Sequence, residues 1–196
     1  LLGERSLLEL TLDRLAGLVG PADAFVVTDR RYGGLVRAQV PGAVVLDEPV
    51  GKNTAAAVAL ATLAIERPED EVMAVVPADH RIADNAGYRA VLRAGAEVLA
   101  TGACGVTDPI VTLGVEPTFP ATGYGYLLPD LRAAHVVAGL QAYRLREFVE
   151  KPSRHGADRL IRNGGVAWNA GIFVARRRAM RRAFAEFAPD IIGRLE

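Results

Sequence analysis

A short apolar run that ends abruptly in polar residues constrains the fold most. The run V-M-A-V-V, from Val72 to Val76, is followed at once by P-A-D-H. A run of this length suits a strand buried on both faces by flanking helices, as in a parallel sheet. Ligands of open α/β sheets bind just beyond the carboxyl ends of the strands, so Asp79 and His80 are expected at the mouth of a site. An ordinary helix N-cap explains Asp79 equally well.

The rest of the chain alternates short apolar runs with amphipathic stretches. Ser6 and Glu9 form a capping-box pattern, which predicts a helix from Ser6 to about Leu18. By the same criteria, strands are expected at 24–28, 43–46, 110–115, 143–148 and 172–175, and helices at 32–39, 54–65, 85–100, 153–163 and 176–187. The basic face of the last helix and the segment 132–139 are expected to face solvent. Strands alternating with helices predict a doubly wound α/β fold.

The composition narrows the class of protein. A chain of 196 residues, 51% of them hydrophobic, is long enough for one substantial core and too short for two comfortable domains. Acidic and basic residues number 23 each, which argues against a nucleic-acid-binding protein. Cys104 is the single cysteine; it is expected to be buried, and it favours a reducing cytoplasm without a disulfide framework. No apolar run reaches the length of a membrane span.

Lysine is rare in this chain. Lys52 and Lys151 are the two lysines, against 21 arginines. Lysine is a compact point charge, whereas arginine presents a planar fork, so the two side chains bind phosphate differently. The presence of Lys52 and Lys151 in a chain that otherwise uses arginine indicates that both positions need the geometry of lysine. Chance is the alternative explanation.

The loop D-E-P-V-G-K-N-T, from Asp47 to Thr54, precedes an alanine-rich helix. Asn53 or Thr54 can cap that helix, and Gly51 allows the backbone to approach a ligand closely. A helix N-terminus beside a lysine favours an anion or a nucleotide. The glycine spacing is not that of a P-loop, so an ordinary strand-to-helix loop remains the alternative.

Two later segments also carry polar groups in unusual backbone settings. Gly123 and Gly125 lie in a loop rich in Gly and Pro, which either exposes bare backbone to a sugar or forms a plain turn. Glu150 and Lys151 are adjacent at a predicted strand end. Neighbouring residues on an extended chain point to opposite sides, so both can serve one site only if the backbone turns, which Pro152 favours.

Trp168 and Asn169 form the last such segment. The tryptophan can supply a packing wall, and the asparagine amide can bind sugar hydroxyls in a bidentate manner. A core tryptophan followed by a turn asparagine is the alternative. His135 and His155 are expected to be exposed bystanders.

The order of these motifs is more informative than any one of them. The segments E-P-V-G-K-N-T-A, V-P-A-D-H, T-L-G-V-E-P-T-F-P-A-T-G-Y-G-Y, F-V-E-K-P and W-N-A-G-I-F together resemble the sugar-1-phosphate nucleotidyltransferases, above all the mannose-1-phosphate guanylyltransferases. The resemblance spans essentially the whole chain. It implies one nucleotidyltransferase domain over 1–196, with a Rossmann-like, doubly wound, mixed and mostly parallel sheet and helices on both faces. The implied reaction joins GTP to mannose 1-phosphate and releases pyrophosphate.

The resemblance also implies a role for each matching segment. Asp79 is expected to hold Mg²⁺ and to form the catalytic pair with Lys151, which faces the sugar phosphate. The residues expected to bind the nucleotide are Glu48, Pro49, Gly51, Lys52, Asn53, Thr54, Pro77 and Ala78. Those expected to bind the mannosyl group are Gly123, Tyr124, Glu150 and Asn169. The resemblance leaves open whether the protein forms a homodimer. Neither nucleic acid nor a membrane is an expected partner.

The chain departs from the family pattern in three ways. A glycine-rich loop of the type G-G-x-G-x-R-L-x-P is expected just before Leu1, and a second metal-binding Asp, in an S-D-V-G-S-W type segment, beyond Glu196. Without that loop the triphosphate has no cradle, so we expect this chain to be part of a longer enzyme and to be inactive alone. The three alanines Ala56, Ala121 and Ala170 replace a proline, a glutamate and a serine of the family and leave the expected fold intact.

Two other functions fit part of these features. One is the same chemistry with another sugar 1-phosphate or nucleoside triphosphate. The other is a non-catalytic, nucleotide-sugar-sensing regulatory subunit on the same fold. Such a subunit is expected to lack the metal-binding acid and the phosphate-binding lysine, whereas this chain keeps Asp79 and Lys151. An unrelated dinucleotide-binding protein is excluded because no G-x-G-x-x-G follows a strand.

Overall fold

The computed structural model describes residues 4–51 and 53–195. The helices are α1 (Leu7–Leu15), α2 (Gly33–Gln39), α3 (Asn53–Ala64), α4 (Asn85–Thr101), α5 (Arg154–Asn163), α6 (Arg177–Phe187) and α7 (Pro189–Ile192). The strands are β1 (Phe25–Asp29), β2 (Val44–Glu48), β3 (Val72–Val75), β4 (Val111–Val115), β5 (Tyr126–Val137), β6 (Leu140–Val149) and β7 (Ala167–Arg176). None of the helices among these residues is long and apolar enough to cross a membrane.

The chain forms two compact units. Unit 1 comprises Leu1–Met73, Pro77–Arg89 and Arg176–Glu196, and unit 2 comprises Ala74–Val76 and Ala90–Ala175. Unit 1 contains the parallel pair β1–β2, on which α2 and α3 pack. Unit 2 contains most of the larger sheet, whose strand order is β3-β7-β5-β6 with β4 also paired to β7. Each unit therefore has its own sheet edge at which loops can gather.

The α/β class and the mixed strand pairing are confirmed. The parallel pairing described here is β1–β2, whereas β4–β7, β5–β6 and β5–β7 are antiparallel. Strand β3 ends the order of the larger sheet, and its residues alternate between exposed and half-buried. The expectation that this strand is buried on both faces was therefore wrong, because every second side chain is exposed and one face is open to solvent.

Helix α1 begins as the sequence predicts. The Ser6 amide donates to a carboxylate oxygen of Glu9 at 2.7 Å, and the Glu9 amide donates to the Ser6 hydroxyl at 3.2 Å. This reciprocal capping box satisfies two backbone donors that the first helical turn leaves unpaired. The helix ends at Leu15 rather than Leu18, and Gly17 follows with a φ of +81°.

The segment 132–139 faces solvent as expected, except for Val137, and it forms a β-hairpin that the sequence did not predict. Strand β5 continues to Val137, and β6 begins at Leu140, its partner across the turn. The two turn residues, Ala138 and Gly139, have φ values of +49° and +78°. Left-handed angles at both positions match the twist of a tight hairpin, but Ala-Gly is a weaker turn signal than Asn-Gly or Asp-Gly. The residues near the turn are exposed in both strands, so the sequence there lacks the alternation of apolar and polar residues that identifies a strand.

The core of unit 2 lies under the start of β5. Tyr126, Leu128 and Ala157 are buried together, and Trp168 packs against them. Helix α4 approaches β7 at Gly95, where an added Cβ would lie 3.2 Å from a methyl group of Val174. These contacts hold the amino end of β5 in place, which is the end that carries the glycine-rich loop. Cys104 is buried, as expected, and burial raises the pKa of its thiol.

A buried arginine joins α6 to the end of α3 within unit 1. Arg177 is 8% exposed, and its guanidinium donates to the carbonyl oxygens of Thr62 and Ile65, both at 2.9 Å. It also donates to Glu69 at 2.8 Å. Its positive charge lies where the carbonyls of α3 leave partial negative charge. The expectation that the basic face of this helix is wholly solvated was wrong at this position.

We expect Arg177→Met to lower the free energy of unfolding by about 3 kcal/mol, because two buried carbonyl oxygens lose a charged donor. Arg181→Met is the matched control, since Arg181 also pairs with Glu69, at 2.7 Å, but is solvent-exposed. The control should change stability by less than about 1 kcal/mol. Urea unfolding of both variants measures the difference. Equal losses would show that Arg177 contributes no more than a surface ion pair.

Candidate active site

The carboxyl ends of β1 and β2 carry two acidic residues side by side. Asp29 is the register partner of Glu48, and the backbone amide of Arg30 donates to the Glu48 carbonyl at 3.0 Å. The strands are parallel, so both ends meet at the same edge of the sheet. The exposed residues Pro49, Val50 and Gly51 follow Glu48. The loop expected to bind a nucleotide therefore begins directly at a strand end of unit 1.

Asp29 fixes the shape of this loop. Its carboxylate accepts two hydrogen bonds from the Arg31 guanidinium, both at 2.9 Å, and one from the Gly51 amide at 3.4 Å. The hydrogen bonds from Arg31 lower the pKa of Asp29 well below its usual range. Sequence reasoning missed Asp29, although an acid directly after an apolar strand is the same pattern that singled out Asp79.

Glu48 has the opposite electrostatic environment. Partial burial raises the pKa of its carboxyl group, and the nearby negative charge of Asp29 raises it further. The two carboxyl groups at this sheet edge therefore differ in pKa: that of Asp29 is lowered and that of Glu48 is raised. Asp29 is committed to Arg31 and Gly51, so Glu48 is the acid that faces no such internal partner in the described contacts.

Helix α3 begins at Asn53, one residue earlier than predicted. Asn53 has a φ of +66°, a left-handed angle that asparagine tolerates better than most residues. Asn53 and Thr54 are both exposed. Lys52 lies outside the described residues. An anion contact at this helix start, with its lysine, stays a prediction.

The segment after β3 presents Asp79 to solvent. Pro77 is half-buried, whereas Ala78 and Asp79 are exposed and form a turn. Helix α4 starts at Asn85, where the Gly87 amide donates to the carboxylate of Asp84 at 2.9 Å. Asp84 therefore caps that helix. The alternative interpretation of Asp79 as an N-cap is wrong, and its carboxylate needs another explanation.

The described part of the chain contains no group of three or more His, Cys, Asp or Glu side chains that could enclose a metal ion. This excludes a dedicated protein cage among those residues. It does not conflict with Mg²⁺ at Asp79, since Mg²⁺ commonly binds through one or two carboxylates together with substrate phosphates. The single exposed carboxylate fits such a substrate-borne ion.

Three strands of unit 2 bring their polar ends together. Tyr126, the first residue of β5, pairs with Val149 of β6 and with Trp168 of β7. The residues next to these three are Gly125, Glu150 and Asn169. The backbone N–H of Asn169 donates to the backbone carbonyl oxygen of Gly125 at 2.8 Å. A Cβ at Gly125 would lie 2.5 Å from the Phe148 ring and 2.9 Å from a carboxylate oxygen of Glu150. The ring of Phe148 therefore disfavours any side chain at this position.

The backbone turns immediately after β6. Lys151 has a φ of +42°, and its Nζ lies 3.3 Å from a carboxylate oxygen of Glu150. The left-handed angle places two adjacent side chains within ion-pair distance, as the sequence required if both were to serve one site. Both side chains remain mostly exposed, so the pair adds little to stability. A strained angle at such a position is typical of functional sites.

The side chain of Asn169 is oriented by two hydrogen bonds to its oxygen. The Thr112 hydroxyl donates to Oδ1 at 2.9 Å, and the Gly171 amide donates to the same atom at 3.1 Å. Among the described residues, these bonds occupy the acceptor of the amide. The NH₂ group is then the part suited to bind an acceptor such as a sugar hydroxyl. Sequence reasoning missed Thr112, which lies 57 positions away in the chain.

An aromatic cluster borders the same site. The Trp168 ring packs edge-on against Phe119 and Tyr124, with centroid distances of 5.0 and 5.2 Å. Tyr124 is about half exposed, and Gly123 beside it is open on the side where a Cβ would be. Trp168 therefore packs against two aromatic neighbours beside the glycine backbone, and its contact with a sugar stays a prediction.

The chain is similar in sequence to a known protein family. The family described as Nucleotidyl transferase matches residues 1–193. The mannose-1-phosphate guanylyltransferase of Escherichia coli strain K12 is 35% identical over 205 residues, which cover 99% of this chain and 41% of that protein. The chain spans 37% to 41% of the length of the first curated relatives it matches.

Two solved structures have a similar fold. The crystal structure of mannose-1-phosphate geranyltransferase from Thermus thermophilus is 35% identical, with a TM-score of 0.77 over 96% of this chain and 52% of that chain. The crystal structure of mannose-6-phosphate isomerase from Helicobacter pylori is 27% identical, with a TM-score of 0.81 over 100% of this chain and 71% of that chain.

We expect Asp29→Asn to lose part of the acid dependence of stability. Arg31 and Gly51 stabilise the ionised carboxylate, so the folded pKa of Asp29 lies below the unfolded value of about 3.9, and the unfolded state binds the proton first. The stability that Asp29 contributes is therefore complete above the unfolded pKa and is lost as the pH falls through the folded pKa. Urea unfolding between about pH 7 and about pH 3 measures this loss, which should be smaller in the variant. The same loss in both proteins would contradict the assignment.

Proposed function

The chain belongs to the nucleotidyl transferase family, and from that premise we propose that it transfers a guanylyl group from GTP to mannose 1-phosphate. The products are GDP-mannose and pyrophosphate. The observation that carries the proposal is the grouping of Glu150, Lys151 and Asn169 around the bare backbone at Gly125. An acceptor, a cation and an amide donor at a glycine backbone suit a ligand with hydroxyls and a phosphate.

Unit 1 supplies the groups suited to the nucleotide. Glu48 can accept hydrogen bonds from the N–H groups of guanine, and the backbone of Pro49 to Gly51 lies open beside it. The predicted lysine and helix start at 52–54 suit the negatively charged phosphates. Pro77 and Ala78 lead to Asp79. A carboxylate at Glu48 suits guanine, which offers two adjacent N–H donors on one edge.

Unit 2 supplies the groups suited to the sugar phosphate. The Glu150 carboxylate can accept from sugar hydroxyls, and the Asn169 amide can donate to them. Lys151 is a point charge that suits the phosphate, and Glu150 holds it at 3.3 Å. Gly123 and Tyr124 offer an open backbone and an aromatic edge. Mannose is the sugar that the relatives' names favour.

The chemistry requires positioning more than proton transfer. A phosphate oxygen of mannose 1-phosphate attacks the α-phosphorus of GTP, the new P–O bond forms, and the α–β anhydride bond breaks to release pyrophosphate. The attacking oxygen is already an anion, so no general base is needed. Lys151 lowers the repulsion between the two anions. Bound Mg²⁺ would neutralise the phosphates and orient them, and Asp79 is the residue that would hold it.

Some parts of this function stay predictions. They are the Mg²⁺ requirement, the choice of GTP and mannose 1-phosphate, the single domain over 1–196, the cytoplasmic location and the homodimer. The same chemistry with another sugar 1-phosphate or nucleoside triphosphate is the main alternative. A sensing subunit is disfavoured because Asp79 and Lys151 are both present and exposed.

Pyrophosphate release by the full-length protein tests the proposal. GTP, mannose 1-phosphate and Mg²⁺ are supplied together, and each is then withheld or replaced in turn. Release that needs GTP and mannose 1-phosphate supports the proposal. Release with another pair replaces the substrates and keeps the reaction. No release with any pair, from a folded protein, favours a sensing subunit.

We expect Asp79→Asn to lower kcat by at least about 100-fold, because the amide keeps the shape of the side chain but loses the charge that Mg²⁺ needs. The side chain is exposed, so the melting temperature should hardly change. Asp84→Asn is the matched control: it removes an exposed carboxylate nearby, and asparagine caps a helix about as well as aspartate, so turnover and stability should hardly change. An Asp79→Asn variant with wild-type turnover would rule out this metal assignment.

We expect Lys151→Arg to raise KM for mannose 1-phosphate or lower kcat by about 10-fold or more, because the planar fork cannot replace a point charge on a left-handed residue. Arg154→Lys is the matched control: it makes the reverse exchange at a nearby exposed residue that pairs with Asp158. Steady-state kinetics of both variants measure the effect. Full activity of Lys151→Arg would show that its position requires a cation and nothing more.

A further inference from the structure

We infer that Thr11 and Arg14 of α1 are positioning residues that hold the Asp79 turn in its working conformation. The Arg14 guanidinium donates through Nη2 to the carbonyl oxygen of His80 at 3.1 Å. The Thr11 hydroxyl donates to the carbonyl oxygen of Ala78 at 3.5 Å, a longer and weaker contact. The two carbonyls lie on either side of Asp79. The assignment of a catalytic consequence rests on the proposed function, whereas the contacts themselves do not.

Thr11 and Arg14 lie three residues apart and therefore on one face of the helix. They are 2% and 3% exposed, so this polar face is turned into the protein. Helix α1 itself is held by the capping box at its start. The helix is thus a fixed element from which two side chains reach the turn.

Arg14 is held from two further sides. Its guanidinium carbon lies 5.4 Å from the centre of the Tyr88 ring, and the Arg89 side chain donates to the Arg14 carbonyl at 3.2 Å. The Tyr88 ring restricts the guanidinium, and the Arg89 hydrogen bond fixes the backbone from which the side chain starts. An arginine held in this way is a rigid donor to the His80 carbonyl.

The burial of Arg14 is costly, which argues for a purpose other than stability. Its Nε and Nη1 atoms are buried and have no hydrogen-bond partner among the described residues. A buried charge with unpaired donors destabilises a fold relative to an apolar side chain of similar size. The hydrogen bond that its Nη2 atom donates to the His80 carbonyl goes to the turn with Asp79. Positioning of that turn accounts for a residue that packing alone would not favour.

The Asp79 turn needs external support because it belongs to neither a helix nor a strand. Its side chain is exposed, so no packing of its own fixes the carboxylate. Residues that orient a metal-binding group typically contribute about 10- to 100-fold to metal affinity or activity. We therefore expect loss of the Arg14 contact to weaken the use of Mg²⁺ without affecting binding of the sugar phosphate to unit 2.

The first experiment compares Arg14→Gln with Arg177→Gln in the full-length protein. Both variants remove a buried arginine that donates to backbone carbonyls, but the contacts of Arg177 lie at the end of α3 and not at the Asp79 turn. We expect Arg14→Gln alone to lower kcat, or to raise the Mg²⁺ concentration for half-maximal pyrophosphate release, by about 10- to 100-fold. KM for mannose 1-phosphate should stay unchanged in both variants. Arg14→Lys should recover part of the loss.

The second experiment observes the turn directly and needs no activity. Selective ¹⁵N-histidine labelling gives few amide signals, and a His80→Gln variant assigns the signal of His80; His135 and His155, exposed residues of unit 2, serve as references. We expect the His80 order parameter to fall from about 0.85 toward about 0.6 in Arg14→Gln. The other two histidines should not change, and Arg177→Gln should leave all three at their wild-type values.

A milder pair of variants covers the case in which Arg14→Gln does not fold. Thr11→Val removes one buried hydroxyl at the turn, and Thr62→Val removes one that donates within α3, to the Val58 carbonyl at 2.7 Å. Greater mobility of His80 in Thr11→Val than in Thr62→Val supports the inference. Unchanged His80 mobility in every folded Thr11 and Arg14 variant overturns it. If the wild type releases no pyrophosphate with any substrate pair, the proposed function fails and the histidine measurement still decides the positioning role.

Discussion

The pairing of Tyr126 with two strands at once is the constraint on which the candidate sugar-phosphate site depends. Tyr126 is completely buried, and its hydroxyl donates to the Ala121 carbonyl at 2.9 Å. Its backbone neighbours are Val149 of β6 and Trp168 of β7. Next to these three residues in the chain are Gly125, Glu150 and Asn169. A shift of either pairing by one residue would move one polar group to the opposite face of the sheet and separate the set.

The same region shows where function and stability make different demands. Lys151 adopts a left-handed angle that costs free energy for a residue with a side chain, yet its exposed ion pair with Glu150 returns little stability. Arg14 is buried, and two of its nitrogen atoms have no hydrogen-bond partner in the part of the chain that the structure describes. Arg177, by contrast, uses its burial to join α3 to α6. The conformations of Lys151 and Arg14 are explained by the groups that they position. The burial of Arg177 is explained by its contribution to the stability of the fold.

The sequence predicted those structural features that depend on residues close together in the chain. The capping box at Ser6, the polar residues at strand ends and the turn at Pro152 depend on neighbours within a few positions. Features that depend on distant partners were missed. Thr112 orients Asn169 across the sheet, and nothing near Thr112 in the chain reveals that contact. The hairpin after β5 was missed because its exposed strands lack an apolar alternation, so pairing rather than burial defines them.

The central claim is that unit 2 binds the sugar phosphate through Lys151, and two lysines make that claim directly measurable. Selective ¹³C labelling of lysine gives one side-chain signal for Lys52 and one for Lys151, which the Lys52→Arg and Lys151→Arg variants assign. Titration with mannose 1-phosphate should shift the Lys151 signal and leave the Lys52 signal in place, with GTP giving the reverse. A shift confined to Lys52 on addition of mannose 1-phosphate, or no shift at Lys151 at saturating sugar phosphate, would contradict the account.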